Sequence, residues 1–75
     1  MAREELNMLK YTIALIAEFA SRFHLGERQA YNYLRRFKGM EYLKESYGIL
    51  HTLSFNDAVE TMAAVCEDNG GKLHI

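Results

Sequence analysis

The sequence predicts an all-α fold: a compact small bundle of four helices, the third short, with a frayed or short-strand C-terminal tail. Three observations carry that prediction. Apolar residues recur at helical rather than alternating spacing through most of the chain. No proline interrupts the 75 residues. Strand-like runs are confined to Ile49-Leu50-His51-Thr52 and the last four residues, too little for a sheet. No Gly/Ser linker, internal repeat or low-complexity run divides the chain, so residues 1–75 read as a single helical domain.

The first helix is expected at about 4–23. At 100° per residue, Leu6, Leu9, Ile13, Ile16, Ala17, Ala20 and Phe23 share one side. Met8, Leu15 and Phe19 widen it to an apolar arc of roughly 200°, broader than the stripe of an ordinary surface helix. Such an arc is either central to its own bundle or partly covered by another chain. Tyr11 is expected on the polar side. The second helix is expected at about 27–38, with Gly26 as N-cap and Gln29 in the capping-box position. Leu25 and Ala30 are placed to form a hydrophobic staple. Ala30, Tyr33, Leu34 and Phe37 line one face, and Gly39 reads as the stop.

A third helix at about 40–47 turns Met40, Leu43 and Tyr47 inward and ends at Gly48. Ser54, with Asp57 three residues on, opens a fourth at about 55–68. Its buried stripe is Phe55, Ala58, Val59, Met62, Val65 and Cys66. Asn69-Gly70-Gly71 closes it, leaving a tail over 69–75. The core expected from these stripes is Leu9, Ile13, Ile16, Ala20, Leu34, Phe37, Leu43, Leu50, Phe55, Val59 and Met62. The surplus of the first helix predicts a homodimer or hetero-complex, with Met8, Leu15 or Phe19 at the seam.

Composition narrows the function. At 49% hydrophobic the chain is far too apolar for a disordered tail. A net charge of −1 suggests neither a nucleic-acid nor a membrane binder. Cys66 is the single cysteine, so no internal disulfide forms and a reducing compartment fits. The start, MAREELNMLK, lacks the pattern of a secretory signal, and no apolar run approaches the roughly 18–20 residues of a membrane span. The expectation is a small cytoplasmic protein of bacterial type.

Catalytic chemistry is hard to find. His24, His51, His74 and Cys66 lack metal-ligand spacing, so neither a metal nor a cofactor is expected. A Cys66–His51 nucleophile pair is conceivable, but Cys66 falls on a buried stripe, where a thiol acts as a small hydrophobe. There is no phosphate loop and no nucleophile elbow. The chain is therefore not expected to be an enzyme. Charge distribution says more: residues 22–44 carry a net of +4 and residues 45–75 a net of −4. On the second helix Arg28, Tyr31, Asn32 and Arg35 share an outward face. That face is either a solvated surface, a docking stripe for an acidic protein, or a phosphate-contacting surface. In the last case the second and third helices form a helix-turn-helix, with Arg28, Arg35 and Arg36 on phosphates. A groove-reading domain is usually basic overall, which weakens that reading.

The order of segments carries a resemblance. A first helix ending IALIAEFASRFHL is followed by AYNYLRRF, then MEYLKESYGILHTLS, then an amphipathic helix. Over about residues 6–68 this resembles the bacterial family catalogued as domain of unknown function 3791, most specifically in YGILHTLS, Tyr47 to Ser54. Gly26 departs from it, standing where a serine-type cap is expected. The resemblance implies a small accessory protein, often encoded beside or fused to a protein resembling an ADP-ribosyltransferase, and hence an antitoxin-like role. It implies no catalytic residues. Within YGILHTLS, Leu50 is expected in the core. His51 is read as bonding a backbone carbonyl left open by the turn, with a contact or catalytic role as the alternative. Thr52 and Ser54 are expected to cap the last helix. The combined expectation is a non-catalytic protein-binding module with Arg28, Tyr31, Arg35 and Phe19 as partner contacts. A helix-turn-helix DNA-binding or regulatory protein is the alternative.

Overall fold

The computed structural model describes residues 3–72 and contains four helices: α1 (Arg3–Arg22), α2 (Glu27–Arg36), α3 (Gly39–Leu50) and α4 (Phe55–Asp68). No strand occurs among the described residues, and the fold is an all-α bundle. The expected strand in the tail falls chiefly on residues 73–75, outside the described residues. Twenty residues of α1 set the long dimension of the molecule, 37 Å against 22 and 21 Å across. α1 and α3 each pack on α2 and α4, and α2 also touches α4; α1 and α3 are not packed along their lengths.

The ends of the helices follow local chemistry. α1 stops with His24 in the left-handed region at φ 56°. The Leu25 N–H then reaches the Ala20 carbonyl at 2.8 Å and the His24 N–H the Ser21 carbonyl at 3.4 Å, the double bond pattern that satisfies a helix C-terminus. α4 ends in the same way, with Gly70 at φ 92° and the Gly71 N–H on the Cys66 carbonyl at 2.9 Å. Gly26 has no side chain to cap α2, so only the return half of its capping box exists: Gln29 Oε1 accepts from the Gly26 N–H at 2.8 Å. Ser54 caps α4 fully, its Oγ accepting from the Asp57 N–H at 3.1 Å.

Two glycines act differently from expectation. Gly39 does not stop α2; Lys38, at φ 68°, makes that turn, and Gly39 opens α3. The reason for glycine is room, since a Cβ there would lie 2.9 Å from Leu34 Cδ2, 3.0 Å from Cys66 Sγ and 3.2 Å from the Leu34 carbonyl oxygen. Gly48 does not end α3, because a solvent-facing glycine costs a helix only about 1 kcal/mol relative to alanine. The helix instead kinks at Ser46 (φ −115°, ψ 16°) and continues to Leu50, which makes it longer than α2. It closes where Thr52 Oγ1 donates to the Ile49 carbonyl at 2.6 Å, so Thr52 caps the helix behind it rather than α4.

The core is built from Leu15, Phe19, Ala20 and Phe23 of α1, Ala30 and Leu34 of α2, Leu43 and Leu50 of α3, and Ala58, Val59, Met62, Ala63 and Cys66 of α4. Phe19 lies 4.8 Å from Phe23 and 5.9 Å from Tyr33, centroid to centroid. This corrects the face assigned to α1. Leu9 and Ile13, expected inside, are 47% and 60% exposed, while Leu15 and Phe19, expected at an outer seam, are fully buried. Phe55 is also 40% exposed, and Ile16 and Phe37 are only partly buried. The 200°-wide arc, roughly estimated, holds two faces, and helical periodicity alone does not say which of them meets the bundle.

Candidate docking groove

The outer half of that arc does not meet empty solvent alone. Met8, Leu9, Thr12, Ile13 and Ile16 of α1 form one wall of an open groove of about 500 Å³. Met40, Leu43 and Lys44 of α3 form the opposite wall, and Tyr31 of α2 completes the lining. The groove exists because α1 and α3 are held by α2 and α4 rather than by each other. Thr12 presents little polarity to it, since its hydroxyl is turned back to the Met8 carbonyl at 2.7 Å. Lys44 is the single charged lining residue.

A smaller concavity of about 220 Å³ lies between α1 and α4, lined by Glu18, Ser21, Arg22, Phe55, Asn56 and Val59. It is bridged by its own side chains. Arg22 Nη2 pairs with Glu60 Oε1 at 3.0 Å, and Arg22 Nη1 donates to Asn56 Oδ1. Nearby, the Tyr11 hydroxyl donates to the Leu50 carbonyl at 3.0 Å, and its ring meets Tyr47 edge-on at 5.5 Å and stacks on Phe55 at 5.6 Å. Tyr11 is thus a half-buried tie between α1 and the end of α3, not a member of the polar face. Burial, and secondarily Tyr47, raises the Tyr11 hydroxyl above its ordinary pKa.

Of the four expected contact residues, Arg28, Tyr31 and Arg35 are exposed. Only Tyr31 joins the groove lining, and the two arginines flank it along α2. Phe19 is excluded as a surface anchor because it is fully buried. Missed from the sequence were Leu9, Ile13, Met40 and Lys44. The available signal was the width of the α1 arc; the α3 wall had none, because Met40 and Leu43 also read as ordinary core stripe.

His51 is exposed and stacked on Tyr47 at 4.9 Å, with Nδ1 2.8 Å from the Tyr47 carbonyl. A carbonyl only accepts, so this contact places the hydrogen on Nδ1. Cys66 is fully buried, and its thiol is pushed up to about 11, chiefly by burial and partly by Glu67, against an opposing Gly39 N–H. His51 precedes α4 and Cys66 lies in its last turn, so the conceivable pair is separated by most of that helix, about 16 Å of rise. The Tyr33 hydroxyl is buried without a partner among the described residues, and burial first, then Cys66 and Glu67, push it up to about 12. Among the described residues no three His, Cys, Asp or Glu side chains converge as a metal site, and no helix is long and apolar enough to cross a membrane.

The family described as Protein of unknown function (DUF3791) matches residues 10–69. No curated protein and no solved structure gives a match. The chain belongs to the DUF3791 family.

Proposed function

We propose that this family member is a non-catalytic protein-binding module whose docking face is the α1–α3 groove. The observation that carries the reading is that Leu9 and Ile13, two large aliphatics on one helix, stand 47% and 60% exposed beside an unfilled apolar groove. Grooves walled by two helices are the usual seat of a partner helix. Central apolar anchors in such seats supply most of the binding free energy. The partner we propose is a neighbouring toxin-type enzyme resembling an ADP-ribosyltransferase, held in an antitoxin-like complex; this part rests on the family resemblance.

Co-expression with the product of the adjacent reading frame tests the reading. The neighbour is expected to co-purify with this chain and to lose its toxicity at equal levels. Ile13→Glu, which places a charge in the groove, is expected to release it. Persistent toxicity at equal levels removes the antitoxin role, and undiminished capture by Ile13→Glu moves the docking face elsewhere.

The helix-turn-helix alternative has less support. Two residues, Phe37 and Lys38, join α2 to α3. The outward side of α3 carries Glu41 and Glu45 around Lys44, a poor match to phosphates.

A further inference from the structure

We infer that the occupant of the groove is an acidic amphipathic helix of another protein, an inference that rests on the docking reading above. Length comes first. The lining on α1 runs from Met8 to Ile16, about 12 Å of helix at 1.5 Å per residue. That is the span over which an amphipathic helix presents anchors at i, i+3 or i+4, and i+7. The groove's 500 Å³ also falls within the range of specific ligand clefts, about 300–1,000 Å³.

Charge then selects the partner. Lys44 lines the α3 wall; outside the lining but on the same helices, Lys10 follows Leu9 on α1, and Arg28 and Arg35 lie on either side of Tyr31 along α2; all four are exposed. Over 8–16, 27–36 and 40–45 these four cations and Arg36 stand against Glu27, Glu41 and Glu45, five cations to three acids, a net of +2. α4, by contrast, carries Asp57, Glu60, Glu67 and Asp68 and no cation. A helix with Asp or Glu flanking its apolar stripe meets this rim with opposite sign.

The same rim argues against a second copy. The exposed aliphatic stripe that α1 offers, Leu6, Leu9 and Ile13, is adjacent to or part of the groove's own wall. A two-fold pairing through it brings Lys10 and Lys44 of one copy towards the same cations of the other. Like charges juxtaposed across an interface disfavour it.

Two synthetic helical peptides with one shared leucine stripe test the inference, one with glutamate flanks and one with lysine flanks, measured by fluorescence anisotropy. The glutamate peptide is expected to bind about tenfold tighter at low salt, the gap closing as salt screens the rim. Ile13→Glu is expected to lose both peptides, and Lys44→Glu to narrow the preference. Circular dichroism confirms that each variant is folded, with Ile13→Ser as a milder second variant. Equal binding, a preference for lysine flanks, or a preference untouched by Lys44→Glu overturns the inference. So does a dimer of the chain that Ile13→Glu dissociates. Failure of both peptides overturns the acidic helix alone, provided Ile13→Glu still releases the native partner; that result leaves the docking face standing.

Discussion

The two flanks of α1 are made of different residues and end in opposite states. Towards α4, Arg22 reaches Glu60 and Asn56, and the Tyr11 ring fills the space between Tyr47 and Phe55. Towards α3, Leu9 and Ile13 face Met40 and Lys44 across an open groove. The α4 flank is lined largely by polar side chains, Glu18, Ser21, Arg22 and Asn56 beside Phe55 and Val59, and the α3 flank almost wholly by apolar ones. The two differ also in whether a large side chain reaches across: Phe55 of α4, with Tyr47 from the end of α3, meets Tyr11, whereas the groove is faced by a flexible methionine and a lysine. A closed seam stabilises the fold, and an open one leaves apolar surface available for a partner.

The comparison breaks most visibly at the buried end. Phe19→Ala is expected to cost about 3–5 kcal/mol and Leu50→Ala about 2–5 kcal/mol. Either is comparable with the whole net stability of so small a domain, about 3–5 kcal/mol. Urea melts followed by circular dichroism are expected to show both variants largely unfolded. Gly39→Ala is expected to cost about 1–3 kcal/mol by overpacking, because the Leu34 carbonyl at 3.2 Å is backbone and gives way less easily than the Leu34 methyl. A measured change near zero would mean that α2 and α3 separate freely at that point.

Alkaline pH probes the same closed region. Cys66 rises from 9.0 to about 11 and Tyr33 from 10.0 to about 12, so in both cases the folded state favours the protonated group. Their contribution is complete below the unfolded values and is lost as pH rises through the folded ones. The urea midpoint is therefore expected to fall above pH 9, and Tyr33→Phe to flatten the upper part of that decline. Smallest of all, Arg22→Ala strips an exposed ion pair and is expected to cost under about 1 kcal/mol. Ile13→Ser on the open flank is expected to stay within about 0.5 kcal/mol of the parent chain. If Ile13→Ser instead destabilises as strongly as Leu50→Ala, the two flanks are not different and the groove is part of the core.

Legibility in the sequence divides along the same line. The four helices, the Ser54 cap and the burial of Leu34, Leu43, Leu50 and Met62 follow from periodicity and capping chemistry, which act within a few residues. The α1 face did not follow, because Leu9 and Leu15 are equally apolar and only the positions of α2 and α4 decide between them. Gly39 was misread for a related reason. Its role is clearance from Leu34 and Cys66, a contact made across the fold, and a glycine looks the same whether it serves a turn or a close approach. Of the candidate site, Tyr31 and the flanking arginines were visible as an outward stripe. The opposing wall, Met40 and Lys44, becomes a wall only once α3 is placed opposite α1.

Because α3 bends at Ser46, the residues that face the groove and those tied to α1 belong to separate helical segments. Tyr47, Leu50 and His51 lie beyond the bend, where Tyr11 holds the Leu50 carbonyl. Met40 and Lys44 lie before it and carry no such tie; from their segment Leu43 is buried in the core, with Met40 and Tyr42 packed partly against it. On the docking reading proposed above, an exchange of Lys44 alters what the groove accepts while Tyr11 and Leu50 keep the scaffold folded. A single serine then separates the part of α3 that a change of guest touches from the part that holds the fold.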